Sequence, residues 1–194
     1  MTDKETVLSY LQEHVKPKRI EHTFGVAETA REMAVRFGCD KEKAELAALM
    51  HDAAKYMPED EAFSLCEQAG ITLDTHTKNE PELLHAPAGA ALAKICFGVT
   101  DEDIINAVLY HTVGRCGMSV LEKIIYLSDI IEPTRKPFDG IETIRETAKH
   151  DLDQAVVQAM DSAMAYVIQK GGQVHPNTPL ARDALLKNKR EFPK

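Results

Sequence analysis

The stretch AALMHDAAK, residues 47–55, places a histidine and an aspartate side by side in otherwise apolar sequence. A second stretch, IIYLSDII at residues 124–131, surrounds Asp129 with apolar residues in the same way. A carboxylate in such surroundings loses its hydration, which costs several kcal/mol unless another group replaces the water. A bound cation is the simplest replacement, so His51, Asp52 and Asp129 are candidate metal ligands.

Helical periodicity extends outward from these two stretches over nearly the whole chain. In EHTFGVAETAREMAVRFG (21–38), apolar residues recur every three or four positions until Gly38. The next helix is predicted to begin at Asp40, whose side chain can cap it. Further helices are predicted in PEDEAFSLCEQAG (58–70), PELLHAPAGAALAKICFG (81–98), TDEDIINAVLYHTVG (100–114), SVLEKIIYLSDIIEP (119–133) and HDLDQAVVQAMDSAMAYVIQKGG (150–172).

No run of β-branched residues alternates with a period of two, so no β-sheet is predicted. The one stretch that reads as a loose connection is ITLDTHTKNEPE, residues 71–82. We therefore predict an all-α fold, a compact helical bundle of about eight or more helices. The length of 194 residues favours a single domain that spans residues 1–194.

Composition and charge exclude several classes of protein. A hydrophobic content of 44% argues against disorder, and no stretch approaches the ~18 apolar residues of a membrane span. The N-terminus lacks a secretory signal, so a cytoplasmic location is expected. The net charge of −8 disfavours nucleic-acid binding and leaves a small molecule as the expected partner. Reduced thiols, in neither CxxC nor zinc-finger spacing, are expected for Cys39, Cys66, Cys96 and Cys116.

The histidines fall into groups according to their neighbours. Four lie on apolar helical stripes or end an apolar run, and are predicted to be buried: His22, His51, His85 and His111. Three lie among polar or charged residues and are predicted to be exposed: His14, His76 and His150. His175 follows a Gly-Gly turn and is predicted to be a loop residue.

The four apolar-flanked histidines and two apolar-flanked aspartates suit a transition metal. Imidazole and carboxylate together favour iron, manganese, zinc or cobalt, and the absence of cysteine argues against a closed structural zinc site. A catalytic metal is the favoured interpretation, because water can fill the open coordination positions and supply hydroxide near neutral pH. Ordinary buried histidines and a purely structural metal are the alternatives.

An anionic substrate would need local cations to offset the net negative charge. Lysines and arginines lie beside the candidate ligands along the chain, although scattered cations are usually solvated surface residues. The planar guanidinium of arginine suits phosphate in particular. The candidates are Lys18, Arg19, Lys55, Arg115, Arg135 and Lys136.

The order of His22, His51-Asp52 and Asp129 resembles that of the HD-domain metal phosphohydrolases, a helical superfamily that cleaves phosphate esters and anhydrides. Several longer motifs are similar to those of the symmetrical bis(5'-nucleosyl)-tetraphosphatases of the YqeK type, and the similarity covers essentially the whole chain. These motifs are EHTFGVAETA, HDAAK, LLHAPAGA, YHTVGRCGMSVLEKIIYLSDIIEPTRKPFDGIETIR and VHPNTPLAR. The chain departs from the expected pattern at Asp183, where an amide is expected.

The resemblance implies hydrolysis of diadenosine tetraphosphate to two ADP by a metal-bound hydroxide, with iron as the expected metal. It implies a first metal held by His22, His51, Asp52 and Asp129. Asp52 would bridge to a second metal held by His85 and His111, unless these two histidines contact phosphate instead. The implied catalytic residues are Asp52 and Lys55, and the implied substrate-binding residues are Arg19, His85, His111, Arg115, Arg135, Lys136 and His175.

Two alternative functions stay open at this point. One is a different nucleotide phosphohydrolase or phosphodiesterase of the HD superfamily, and the other is a metal-containing nucleotide sensor without turnover. The sequence lacks the partner domain of the cyclic dinucleotide enzymes and keeps every core ligand, and both observations favour an active hydrolase. The sequence leaves the oligomeric state open between monomer and homodimer.

Overall fold

Eleven α-helices and no β-strand are found in the computed structural model, which describes residues 4–191 and side chains up to residue 187. The all-α prediction is confirmed, and none of these helices is both long and apolar enough to cross a membrane. The helices are α1 (Lys4–His14), α2 (Pro17–Phe37), α3 (Lys41–Met50), α4 (Glu59–Gln68), α5 (Thr75–Asn79), α6 (Pro81–Ile95), α7 (Glu102–Leu109), α8 (Val120–Ile131), α9 (Ile141–Thr147), α10 (Leu152–Gln169) and α11 (Asn177–Glu191).

Local sequence signals set the boundary between α2 and α3. Gly38 ends α2 in the left-handed conformation, with φ at 70°, which glycine adopts without a steric penalty. Asp40 then caps α3, because its carboxylate accepts the backbone N–H groups of Glu42 and Lys43 at 2.8 and 3.2 Å. Both predicted signals are confirmed.

The stretch 71–82 was predicted to be a loose connection, and this prediction is wrong in part, because the stretch contains the short helix α5. The Asp74 side chain caps this helix by accepting the backbone N–H of Thr77 at 3.0 Å. Five residues make little more than one turn, so α5 is too short to show a helical period in the sequence. The cap at Asp74 was the signal that could have predicted it.

The packing of five helices brings the candidate ligands together. Helix α2 packs along α3 and α8, while α7 packs against α3, α6 and α8. Gly89 allows α6 to approach the end of α3, because a Cβ there would lie 3.4 Å from the carbonyl oxygen of His51 and 3.3 Å from Val108. The ends of α3 and α7 therefore meet the faces of α2, α6 and α8 around one buried point.

Candidate metal centre

All six predicted ligands lie around one buried point. Nε2 of His22 lies 3.0 Å from Oδ1 of Asp129, and the rings of neighbouring histidines lie with their centres 5.1 to 5.6 Å apart. The four histidines are at most 7% exposed, which confirms the predicted burial. The contributing elements are α2 for His22, the end of α3 for His51 and Asp52, α6 for His85, the end of α7 for His111 and α8 for Asp129.

Three of the histidines are held in the same orientation by their own backbone. In each, Nδ1 donates to the carbonyl oxygen three residues earlier, which favours the tautomer with an unprotonated Nε2 and directs that atom into the cluster. This is the orientation that a metal-binding imidazole needs. The pairs are His51 with Ala48 at 2.6 Å, His85 with Glu82 at 2.7 Å and His111 with Val108 at 2.7 Å.

Asp52 lies between two parts of the cluster. Its Oδ2 lies 3.3 Å from Nε2 of His51, and its Oδ1 lies 3.2 Å from Nε2 of His85. Two sets of three residues have donor atoms within 4.8 Å of one another, namely His22, His51 and Asp129, and His51, Asp52 and His111. The two carboxylate oxygens of Asp52 therefore face different histidines, Oδ2 toward His51 and Oδ1 toward His85.

Three buried atoms of the cluster have no hydrogen-bond partner: Nε2 of His22, Nε2 of His51 and Oδ1 of Asp129. The first and third lie close together but are not aligned for a hydrogen bond. A buried polar atom left without a partner costs about 1–3 kcal/mol. Because all three are lone-pair donors in one place, a bound cation would satisfy them together, and the residues fit a metal ion.

The pair formed by His85 and His111 also indicates a cation-binding site. Burial lowers the pKa of His111 to about 3, with His51 and His85 adding to this effect, so its imidazole is neutral at physiological pH. Its Nε2 lies 3.2 Å from Nε2 of His85. Since both Nδ1 atoms carry the proton, two lone pairs face each other there and need a cation or a proton between them.

Both aspartates of the cluster are held in the ionised form. Burial acts to raise the pKa of Asp52, but His51 and His85 outweigh it and hold that pKa well below its usual value. Burial also acts to raise the pKa of Asp129, but the nearby imidazoles of His22 and His51 outweigh it and lower that pKa. The Asp52 side chain is 4% exposed and that of Asp129 is 20% exposed, so Asp52 is the deeper of the two.

Two cations border the cluster on the side of Asp52. Nη1 of Arg19 donates to Oδ2 of Asp52 at 2.8 Å, and Nζ of Lys55 lies 3.2 Å from Nδ1 of His85. His85 Nδ1 donates to a nearer carbonyl oxygen, so Lys55 is free to turn toward another acceptor. Burial lowers the pKa of Lys55, against the attraction of Asp52, which raises it.

The remaining predicted cations differ in their positions. Arg135 lies with Nη1 3.6 Å from Oδ1 of Asp129, at the edge of the cluster, and Lys136 is exposed beside it. Arg115 is engaged elsewhere, because its Nε and Nη2 both lie 2.8 Å from Oε1 of Glu122. The structure therefore brings Arg135 to the candidate ligands and ties Arg115 to a buried carboxylate.

His175 lies in a loop, as predicted, but it does not contact the six ligands. It is 7% exposed, and its Nε2 lies 3.2 Å from Oδ2 of Asp74. It lines a cavity of about 140 Å³ together with Pro87 and Tyr110, which neighbour His85 and His111 in the chain. A larger cavity of about 740 Å³, bordered by α3, includes none of the predicted site residues.

Sequence reasoning missed one residue that contacts the cluster. Glu132 is 0% exposed, and its Oε1 lies 2.9 Å from Nδ1 of His22. The available signal was the same as for Asp129, because Glu132 directly follows the apolar run 124–131. A carboxylate ending an apolar helix also occurs as an ordinary exposed residue, so the position alone does not predict the contact.

Comparison with known proteins relates this chain to a family and to named hydrolases. The HD domain family matches residues 19–134. A Bacillus subtilis (strain 168) protein named symmetrical bis(5'-nucleosyl)-tetraphosphatase is 41% identical over 184 residues, which cover 95% of this chain and 98% of that protein. A Halalkalibacterium halodurans protein of the same name is 39% identical over 179 residues, which cover 92% of this chain and 95% of that protein.

A solved structure is also similar over nearly the whole chain. It is a crystal structure from Clostridium acetobutylicum, described as a "predicted HD superfamily hydrolase involved in NAD metabolism". It is 40% identical, superimposes with a TM-score of 0.91, and covers 97% of this chain and 100% of its own. The similarity therefore extends to helices outside the segment that the family matches.

Proposed function

The chain belongs to the HD domain family, and we propose that it is a metal-dependent symmetrical bis(5'-nucleosyl)-tetraphosphatase, which hydrolyses diadenosine tetraphosphate to two ADP. The observation that carries the proposal is the convergence of four histidines and two aspartates on one buried point. The name shared by the Bacillus and Halalkalibacterium relatives supports the substrate.

The metal is proposed to be held by His22, His51, Asp52 and Asp129, with His85 and His111 as ligands of a second ion or as phosphate contacts. The unpartnered atoms of three of these residues support this assignment. Nitrogen and carboxylate donors without cysteine suit iron, which we propose, and also manganese, cobalt and zinc. When bound, such an ion lowers the pKa of a coordinated water and supplies a nucleophile near neutral pH.

The residues around the centre are suited to hold a polyphosphate. A tetraphosphate chain carries several negative charges, and the protein as a whole is also negative, so attraction must come from local cations. Arg19 and Arg135 each contact a carboxylate of the centre, and their guanidinium groups can bind phosphate oxygens in a fork. These two arginines are proposed to orient the substrate against the centre.

Lys55 is proposed to stabilise the charge that develops as the central phosphoanhydride bond breaks. Phosphoryl transfer depends mainly on positioning and charge stabilisation, and the departing ADP gains negative charge on its terminal phosphate. Lys55 is half-buried within contact of His85, where a positive charge acts more strongly than at an exposed site. Asp52 completes the pair of proposed catalytic residues, because its two oxygens face His51 and His85 and would help to hold the metal.

The outer contacts with substrate are assigned to Lys136, Arg115 and His175. Lys136 is exposed next to Arg135, and His175 lines the cavity beside Tyr110. Arg115 would reach substrate only by leaving Glu122 or by a nitrogen that Glu122 does not bind. We further propose a cytoplasmic protein that forms one domain over residues 1–194 and has a small nucleotide as its partner.

Another phosphohydrolase activity is the second candidate. The Clostridium acetobutylicum relative is described as involved in NAD metabolism, and NAD is itself a dinucleotide joined by a phosphoanhydride bond. A panel of substrates separates the two candidates. It should contain diadenosine tetraphosphate, NAD, mononucleotides and a cyclic dinucleotide, and diadenosine tetraphosphate should be hydrolysed fastest.

Removal of the metal should abolish this turnover. Purified protein should contain a transition metal, lose activity after chelation and regain it when iron, manganese or cobalt is added back. Elemental analysis together with the substrate panel measures both properties. A content below roughly one metal per ten chains, with no gain in activity on adding metal, would rule out the proposed chemistry because an empty site cannot activate water.

A further inference from the structure

His22 differs from the other three histidines of the cluster in the partner of its Nδ1 atom. The other three donate to a backbone carbonyl three residues earlier. His22 instead donates to Oε1 of Glu132 at 2.9 Å, a charged partner 110 residues away at the end of α8. A carboxylate is a stronger acceptor than a carbonyl oxygen and makes the imidazole a better metal ligand.

The Glu132 carboxylate is fixed in place by further hydrogen bonds. It is 0% exposed, and it accepts the backbone N–H of Thr134 at 2.6 Å and the hydroxyl of Thr134 at 2.9 Å. Its backbone is fixed as well, since its N–H donates to Ser128 and its carbonyl oxygen accepts from Arg145. The acceptor that faces His22 therefore has little freedom to move.

Helix α2 leaves space for this carboxylate at Gly25, about one turn beyond His22. A Cβ at Gly25 would lie 2.6 Å from Oε2 of Glu132, closer than real Cβ contacts allow. The carboxylate is buried and already bonded to Thr134 and His22, so it could not move aside without losing a partner. The glycine thus allows α2 to approach the carboxylate closely while His22 reaches it from the same helix.

We propose that Glu132 is the positioning residue of His22: it holds the proton on Nδ1 and so presents Nε2 as an oriented, strong donor to the metal. The inference rests on the proposed metal centre. In this role Glu132 acts through His22, whose Nδ1 it contacts, and is not itself a metal ligand. Burying a carboxylate carries a desolvation penalty, which fits a residue whose negative charge serves to orient and polarise His22.

A purely structural role for Glu132, tying the end of α8 to α2, predicts a loss of stability and no change at the metal. Glu122 provides a matched control, because it is a buried carboxylate on the same helix, 1% exposed, that pairs with Arg115. Glu132→Gln and Glu122→Gln both neutralise a buried carboxylate with little change of shape. Only Glu132→Gln changes the partner of a proposed ligand.

The test is the affinity of chelator-stripped protein for Co²⁺, measured by titration against a competing chelator and by the visible absorption of the bound ion. Glu132→Gln should bind Co²⁺ about 10- to 100-fold more weakly than the wild type and with an altered spectrum. Glu122→Gln should match the wild type in both respects. Denaturant unfolding of all three proteins, measured alongside, separates affinity from stability.

Equal Co²⁺ affinity and spectrum for the wild type and Glu132→Gln would overturn the inference and leave the metal centre intact. No Co²⁺ binding by the wild type would instead overturn the proposed function, and the inference with it. If Glu132→Gln does not fold, Gly25→Ala decides, because it keeps the carboxylate and displaces it from His22. Weaker Co²⁺ binding by Gly25→Ala supports the inference, and unchanged binding overturns it.

Discussion

Replacing Asp129 with alanine should remove the metal and the activity together. Oδ1 of Asp129 is buried, lies 3.0 Å from Nε2 of His22 and has no hydrogen-bond partner, so its loss deletes one of the donors that need a cation. We expect turnover to fall on the order of 10³-fold, which corresponds to about 4 kcal/mol of transition-state stabilisation. The measurements are elemental analysis and the initial rate on diadenosine tetraphosphate.

Asp139→Ala is the matched control for this variant. Asp139 is an exposed aspartate ten residues further along the chain, and its loss should leave metal content and rate unchanged. The Asp129 side chain is itself partly exposed, so Asp129→Ala should fold, and its far-ultraviolet circular dichroism should match that of the wild type. A folded Asp129→Ala that keeps its full metal content would contradict the assignment of Asp129 as a ligand.

Replacing His85 or His111 with alanine should leave a folded protein that keeps the first metal but loses most of its turnover. The Nε2 atoms of the two rings lie 3.2 Å apart, and Nε2 of His85 faces Oδ1 of Asp52, whereas His22 lies nearer Oδ2. Four ligands remain for one ion, so metal should still bind, while a loss of roughly 10²-fold in rate is expected from removing a group that stabilises the reacting phosphate. Initial rates and metal content are measured on the same preparations.

Metal content distinguishes the two roles of His85 and His111. A fall from about two metals to about one per chain supports a second metal, whereas an unchanged count supports a direct phosphate contact. His150→Ala is the control, since His150 is exposed and lies outside the cluster. Full activity in both His85→Ala and His111→Ala would show that they are ordinary buried histidines.

The sequence predicted the fold class and the burial of the four apolar-flanked histidines because both depend on local patterns. Apolar periodicity identified the buried faces, and the burial of His22 and His85 followed from their places on those faces. Helix caps such as Asp40 and helix-ending residues such as Gly38 act on adjacent residues, so they can be predicted from the local sequence. By contrast, α5 was missed because one turn of helix has no measurable period.

Long-range contacts could not be predicted in the same way. Nothing near Glu132 in the chain indicates that it meets His22, because that contact depends on how α8 crosses α2. The pairing of Arg115 with Glu122 depends likewise on the turn between α7 and α8. A sequence pattern indicates which side chains are buried, but the partner of each is determined by the packing of the helices.

The histidines predicted to be exposed illustrate the same limit. His14 and His150 are exposed as expected, whereas His76 is half-buried with its ring centre 5.5 Å from that of His175. That contact joins the short helix α5 to the loop before α11. No local sequence pattern relates these two segments, which are far apart in the chain. The prediction for His76 was wrong in this respect, because its polar neighbours describe only its own segment.

The most direct test of the account is the identity of the products of diadenosine tetraphosphate. An early time point, taken before any product is degraded further, should be separated by anion-exchange chromatography. Cleavage of the central phosphoanhydride bond by the metal-loaded protein predicts ADP as the only nucleotide product. A mixture dominated by AMP and ATP would show cleavage at an outer bond and would contradict the proposed function.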